Sequence, residues 1–125
     1  MISGIHHASI IVSNLETALD FYQNILGLCL NENRPDLGYE GAWLDVGDQQ
    51  LHLMVLDNPE HALQRPQHVG RDRHIAFTVA DLQGLCDRLQ RAQVTYTLSR
   101  SGRKALFCRD PDDNGIELIA LKPAV

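Results

Sequence analysis

Arg71 to Asp81, RDRHIAFTVAD, reads as one β-strand, and the chain has already written it once, as Gly4 to Leu15, GIHHASIIVSNL. Setting His7 on His74 also aligns Val12 with Val79, Asn14 with Asp81 and Leu15 with Leu82, all at an offset of 67. A second echo follows. Leu51-His52-Leu53 precedes Ile116-Glu117-Leu118 by 65 residues. Self-similarity at a fixed period marks a repeated structural unit. The chain therefore reads as two copies of one module. Each copy carries a metal-type side chain at the same two places: His7 and His52 in the first, His74 and Glu117 in the second.

The segments around these four residues spell out the module. Ile5 to Val12 alternates as a strand does. Ser13-Asn14-Leu15-Glu16 fits a capping box with Ser13 as the cap. Leu15, Ala18, Leu19, Tyr22, Ile25 and Leu26 then follow at helical spacing, and Gly27 can take the left-handed conformation that ends a helix. A short strand over Leu28 to Asn33 and a loop over Arg34 to Gly38 come next. Tyr39 to Val46 and Gln50 to Val55 form a hairpin around Gly47-Asp48. The pattern dissolves into polar residues and Pro over residues 57–70, which reads as a linker.

The second copy runs the same course. Asp72 to Val79 is a strand, and Asp81 to Arg91 a helix with Leu82, Leu85, Cys86 and Leu89 on one side. Val94 to Leu98 is a strand. Lys104 to Cys108 and Gly115 to Ala120 form a hairpin around DPDDNG, which is strong turn chemistry. The expected fold is α+β: two tandem βαβββ modules, about residues 4–56 and 71–121, in a single domain over 1–125. Their mixed sheets should curve around a concave metal-binding cavity.

Strand parity sorts the faces. Leu51 and Leu53 should pack on the helix, which turns His52 the other way. Ile116 and Leu118 do the same for Glu117. Ile75, Phe77 and Val79 share one face and leave His74 on the other. Ala8, Ile10 and Val12 leave His7. All four candidates thus point away from the helices. His6 falls on the opposite face from His7, and His61 and His68 fall in the linker, so these three are not expected to be ligands. Imidazole nitrogen and carboxylate oxygen suit Ni, Zn, Co, Mn or Fe(II).

Composition narrows the partners. The formal net charge of −5 and the lack of a basic run argue against nucleic acid and anionic membrane. No apolar run approaches the ~20 residues of a membrane span. The opening MISGIHH goes straight into a strand, so no signal peptide is expected. Cys29, Cys86 and Cys108 lack CxxC spacing and read as reduced core thiols of a cytoplasmic protein.

Two βαβββ modules, His at the first strand of each, and the ending DPDDNGIEL resemble the vicinal oxygen chelate superfamily. The opening HHASIIVSNLETALDFYQNILGL is similar to it as well, and the resemblance runs from about Gly4 to Leu121. That group includes glyoxalase I, methylmalonyl-CoA epimerase, extradiol dioxygenases, fosfomycin-resistance thiol transferases and metal-free bleomycin-binding proteins. The resemblance implies that His7, His52, His74 and Glu117 match the four ligand positions of the glyoxalase I branch. There the second ligand is usually Glu, or Gln in the epimerase, where this chain has His52. It implies one divalent metal ion, a small oxygenated substrate, an enediolate or enolate, and Glu117 as the catalytic base. It also implies a homodimer, often with one module paired to a module of the second chain.

Two departures bear on the substrate. The bacterial glyoxalase Arg shortly after the first ligand is Ile11 here, and the Asn past the second ligand is Leu56. An apolar side chain cannot pair with a glutathione carboxylate. Trp43 and Arg103 are candidate pocket residues, Trp43 as a wall and Arg103 for an anionic substrate group. The rival enzyme class is an Fe(II) ring-cleavage dioxygenase with two His and one carboxylate. The rival without catalysis is a small-molecule binding or resistance protein, whose metal-free members lack the ligands.

Overall fold

A computed structural model describes residues 1–121 of the chain. Its contacts divide the chain into two compact units, Met1–Ala62 and Leu63–Val125, with the division inside the expected linker. Each unit holds one four-stranded mixed sheet and a helix that follows its first strand. This is the repeated α+β architecture read from the sequence.

In the first unit, strand β1 (His7–Val12) leads into helix α1 (Leu15–Leu19). Strands β2 (Cys29–Asn31), β3 (Gly41–Val46) and β4 (Gln49–Val55) follow. The sheet order is β1-β4-β3-β2, with β1 parallel to β4 and the other pairs antiparallel. A parallel pair needs a long crossover, and here the helix and the β2–β3 segment supply it. Gly47 at φ 59° and Asp48 close the tight β3–β4 hairpin.

The helix departs from the expected one in two ways. Its cap is Asn14, whose Oδ1 accepts the Thr17 N–H at 2.9 Å, and not Ser13. The N-cap oxygen must reach the N–H two or three residues on, and Asn14 is the residue with extended backbone there. Beyond Leu19 the coil widens into a π-helical stretch, Asp20–Ile25, with the Leu26 N–H bonded to the Phe21 carbonyl. The wider turn shifts the helical phase. Ala18, Phe21 and Tyr22 become the buried face, while Ile25 and Leu26 stay half-buried. Gly27 ends the stretch at φ 81°, as its freedom predicts. Leu44, Leu51 and Leu53 complete the core beneath this helix.

In the second unit, strand β5 (His74–Val79) is followed by helix α2 (Leu82–Arg91). Strands β6 (Tyr96–Leu98), β7 (Ala105–Arg109) and β8 (Gly115–Ala120) complete a sheet of order β5-β8-β7-β6, with β5 parallel to β8. The Asp81 side chain accepts the Gly84 N–H at 2.9 Å and caps α2. The aligned pair Asn14 and Asp81 is thus a pair of helix caps. Leu85, Cys86 and Leu89 bury against Leu106, Cys108, Ile116 and Leu118, as the parity argument requires. The buried Asp110 carboxylate ties the β7–β8 turn by accepting from the Asp112 and Asn114 N–H groups and from Asn114 Nδ2. A short 3₁₀ turn, Val69–Arg71, stands where only linker was expected. The His68 ring accepts the Gly70 N–H and holds that turn.

One thiol expectation fails. Cys86 and Cys108 are buried, but Cys29 is exposed. It lies on the three-residue edge strand β2, where Cys29 and Leu30 are exposed and Asn31 is half-buried. Burial, and then the Asp110 charge, push the Cys108 thiol up to about 12. Thiolate is the reactive form. A disulfide reagent at mildly alkaline pH should therefore titrate Cys29 quickly and leave Cys86 and Cys108 to react on unfolding. Three equally fast thiols in the native chain would contradict this packing.

Candidate metal centre

Register places the four candidate ligands. On the first sheet, Ser9 of β1 and Trp43 of β3 lie beside His52 of β4. His7, two residues before Ser9, shares that face. The three rings stack. His7 and His52 have centroids 3.9 Å apart at 16°, and Trp43 and His52 lie 4.5 Å apart at 9°. Trp43 is half-buried and forms one wall of this face.

His52 also meets Gln50, Nε2 to Oε1 at 2.8 Å. The amide oxygen can only accept, so Nε2 carries the proton and Nδ1 the lone pair. Burial, then the nearby charges of His7, His6 and Arg34, hold the His52 imidazolium below its ordinary range. That favours the neutral ring, the form that can ligate a metal. The Nδ1 atoms of His6 and His7 are 2.8 Å apart. His6 therefore touches a candidate ligand without sharing its face.

On the second sheet, Ala76 of β5 and Phe107 of β7 lie beside Glu117 of β8. The His74 Nδ1 is 2.8 Å from the Asp72 carbonyl oxygen. It must therefore be the protonated nitrogen, which leaves Nε2 with the lone pair. That Nε2 is 3.8 Å from Glu117 Oε1. Two donors each bound to one ion at ~2.0–2.2 Å can be at most ~4.4 Å apart, so this pair fits a shared ion. The Glu117 side chain is only 6% exposed, a costly place for an unpaired carboxylate.

Arg103 is exposed, but one end of it turns back toward the sheet. Its guanidinium lies 3.5 Å from Glu117 Oε1, from the loop ahead of β7. It already faces a carboxylate of the chain, where the sequence suggested a substrate anion. Phe107 meets the His74 ring edge-on at 6.0 Å. It occupies the position on β7 that Trp43 occupies on β3, and the sequence reading passed over it. A cavity of about 300 Å³ opens beside it, lined among others by Thr95, Thr97 and Gln67.

Each module thus brings two candidate donors together on one sheet face. Among the described residues, no group of three or more His, Cys, Asp or Glu side chains is placed to hold a metal. No helix among them is long and apolar enough to cross a membrane.

Two repeated modules, each with a four-stranded mixed sheet, define a class of fold. Residues 4–118 match the Glyoxalase/Bleomycin resistance protein/Dioxygenase superfamily, and the chain belongs to it. Relatives include Glyoxylase I 4 of Arabidopsis thaliana, 25% identical over 94% of this chain and 70% of that protein. Glutathione transferase FosA of Serratia marcescens is 30% identical over 94% and 81% of the two chains. Lactoylglutathione lyase of Neisseria meningitidis is 29% identical over 93% and 89%. The fold is also that of a mutant fosfomycin resistance protein FosX from Listeria monocytogenes, solved with Mn(II) and a dihydroxypropylphosphonic acid. The TM-score is 0.78 at 21% identity, over 98% of this chain and 95% of that one.

Proposed function

We propose that the protein is a metal-dependent, glyoxalase-like lyase or isomerase acting on a small oxygenated substrate. The observation that carries this reading is the His74–Glu117 pair, a locked imidazole tautomer aimed at a nearly buried carboxylate. His7, His52, His74 and Glu117 would hold one divalent ion. When bound, the ion supplies Lewis-acid stabilisation of negative charge on two adjacent substrate oxygens.

The chain's own residues do the rest. Glu117, the one carboxylate of the set, moves the proton next to those oxygens. Arg103 holds the carboxylate from the solvent side. Trp43 and Phe107 wall off water at equivalent places on the two sheets. The cavity beside Phe107 takes the remote part of a small substrate. Ile11 and Leu56 offer no partner to a glutathione carboxylate, so the substrate is a smaller or differently charged one. Since each module offers two donors, a complete set needs a first-module face against a second-module face. We place that pairing across the two chains of a homodimer. The three thiols, none of them in a disulfide, suit the reducing cytoplasm.

A second reading rests on His52. Its Nε2 is engaged by Gln50 and its ring is sandwiched between His7 and Trp43. Without it the set is His7, His74 and Glu117, two His and one carboxylate with positions open for oxygen or a thiol. That chemistry belongs to dioxygenases and thiol transferases.

Metal titration separates the readings. Wild type should bind about one divalent ion per chain, because convergent N/O donors favour occupancy. His74→Ala should weaken binding strongly. A loss of similar size in His52→Ala supports the four-donor lyase reading, whereas unchanged binding supports three donors. No tight site in wild type would sink both. A screen of hemithioacetals, 2-oxo thioesters and catechols against the loaded protein then assigns the reaction.

A further inference from the structure

The His74 ring is set by a device that spans three segments of the second unit. Asp72, just ahead of β5, accepts the His74 Nδ1–H on its backbone carbonyl at 2.8 Å. Its side chain is held just as firmly. Arg65 donates to it from Nε at 2.9 Å and from the terminal nitrogen at 3.0 Å, a bidentate pairing. Arg109 adds a third donor at 2.9 Å, and the Arg73 N–H a fourth at 2.9 Å. The Asp72 side chain is only 9% exposed.

Arg109 is itself pinned. The same nitrogen that meets Asp72 donates to the Asp113 carbonyl at 2.7 Å, and the other terminal nitrogen donates to the Pro66 carbonyl at 2.6 Å. The linker at Arg65 and Pro66, the entry to β5, and the β7–β8 turn are thereby tied to one carboxylate. The direction of a carbonyl is the direction of its peptide plane. Fixing the Asp72 side chain on one side and the Arg73 N–H on the other leaves that plane no freedom to turn.

We propose that Asp72, clamped by Arg65 and Arg109, is a positioning residue that fixes His74 as the Nδ1–H tautomer and aims its Nε2 at Glu117. A histidine without such a partner shares its proton between the two nitrogens. The nitrogen left bare is set by the hydrogen bond that the other makes. The clamp decides which nitrogen faces the carboxylate by acting through the Asp72 peptide. This assignment deepens the metal-centre reading, but its first readout needs no metal.

The test uses the full chain, metal-free and ¹⁵N-labelled, at alkaline pH where imidazoles are neutral. Long-range imidazole NMR reads the tautomer, and the signals lost in His74→Ala identify His74. Wild type should show the Nδ1–H form alone. Arg109→Met should show both tautomers at His74 and bind Zn(II) about 10- to 100-fold more weakly. Arg109→Lys, which keeps the charge but not the fork, should fall between. A purely structural staple would lower the melting temperature and leave the tautomer alone. An unchanged His74 signature in folded Arg109→Met overturns the proposal, as does an Nε2–H form in wild type. If Arg109→Met does not fold, Asp72→Asn, which keeps the carbonyl, is read the same way. Should the tautomer mix while Zn(II) affinity holds, the positioning role stands and His74 is not a ligand.

Discussion

Glu117→Gln should leave a folded protein that retains part of its metal affinity and loses turnover by roughly 10²–10⁴, the usual worth of general acid–base catalysis. Gln preserves an oxygen donor and nearly the same volume in a site with 6% exposure. It removes the negative charge that faces Arg103 at 3.5 Å and the capacity to take up a proton. The split between affinity and rate is the informative part. If both collapse together, Glu117 is a ligand whose charge is needed for occupancy. If turnover is unchanged, the base lies elsewhere. The measurement is a single-turnover rate on the metal-loaded variant with the substrate class that the screen identifies.

The second large effect concerns assembly. His7→Ala and Glu117→Ala chains should each be inactive alone, and mixing them under subunit exchange should restore about half of wild-type metal binding per mixed dimer. Half-restoration would come from the two-and-two division of donors between the modules. If each centre draws His7 and His52 from one chain and His74 and Glu117 from the other, a mixed dimer gathers both defects in one centre. The other is left wild type. If each centre is built within one chain, every centre keeps a defect and mixing restores nothing. A protein that stays monomeric at micromolar concentration with metal bound would refute the shared arrangement.

Much of this was legible in the sequence, and particular residues show why. The two aligned histidines each open a strand, and Leu51, Leu53, Ile116 and Leu118 fix the strand faces by burial. Parity then turns His52 and Glu117 outward without any structure in hand. Phe107 was passed over for a physical reason. The β3–β4 turn is two residues and the β7–β8 turn is longer, so a fixed offset does not carry Trp43 onto Phe107. The Gln50 contact and the Asp72 carbonyl were out of reach, because they depend on ring rotation and the tilt of one peptide plane. The capping box was misassigned by one residue, since Ser13 and Asn14 are both good caps and only backbone geometry separates them. Cys29 was expected in the core because strand composition alone does not reveal how short an edge strand will be.

The parallel pairing within each sheet also says when its donors meet during folding. His7 and His52 sit on β1 and β4, and His74 and Glu117 on β5 and β8, the first and last strands of each module. The β3–β4 and β7–β8 hairpins close over a few residues, whereas each parallel pair closes a loop of about forty residues. Long loops carry the larger entropic cost, so in each half the donor pair assembles with the latest contact and parts when an outer strand frays. Any ion held across that seam would slow the fraying of β1 and β5. Hydrogen exchange in those two strands is where its arrival should register first.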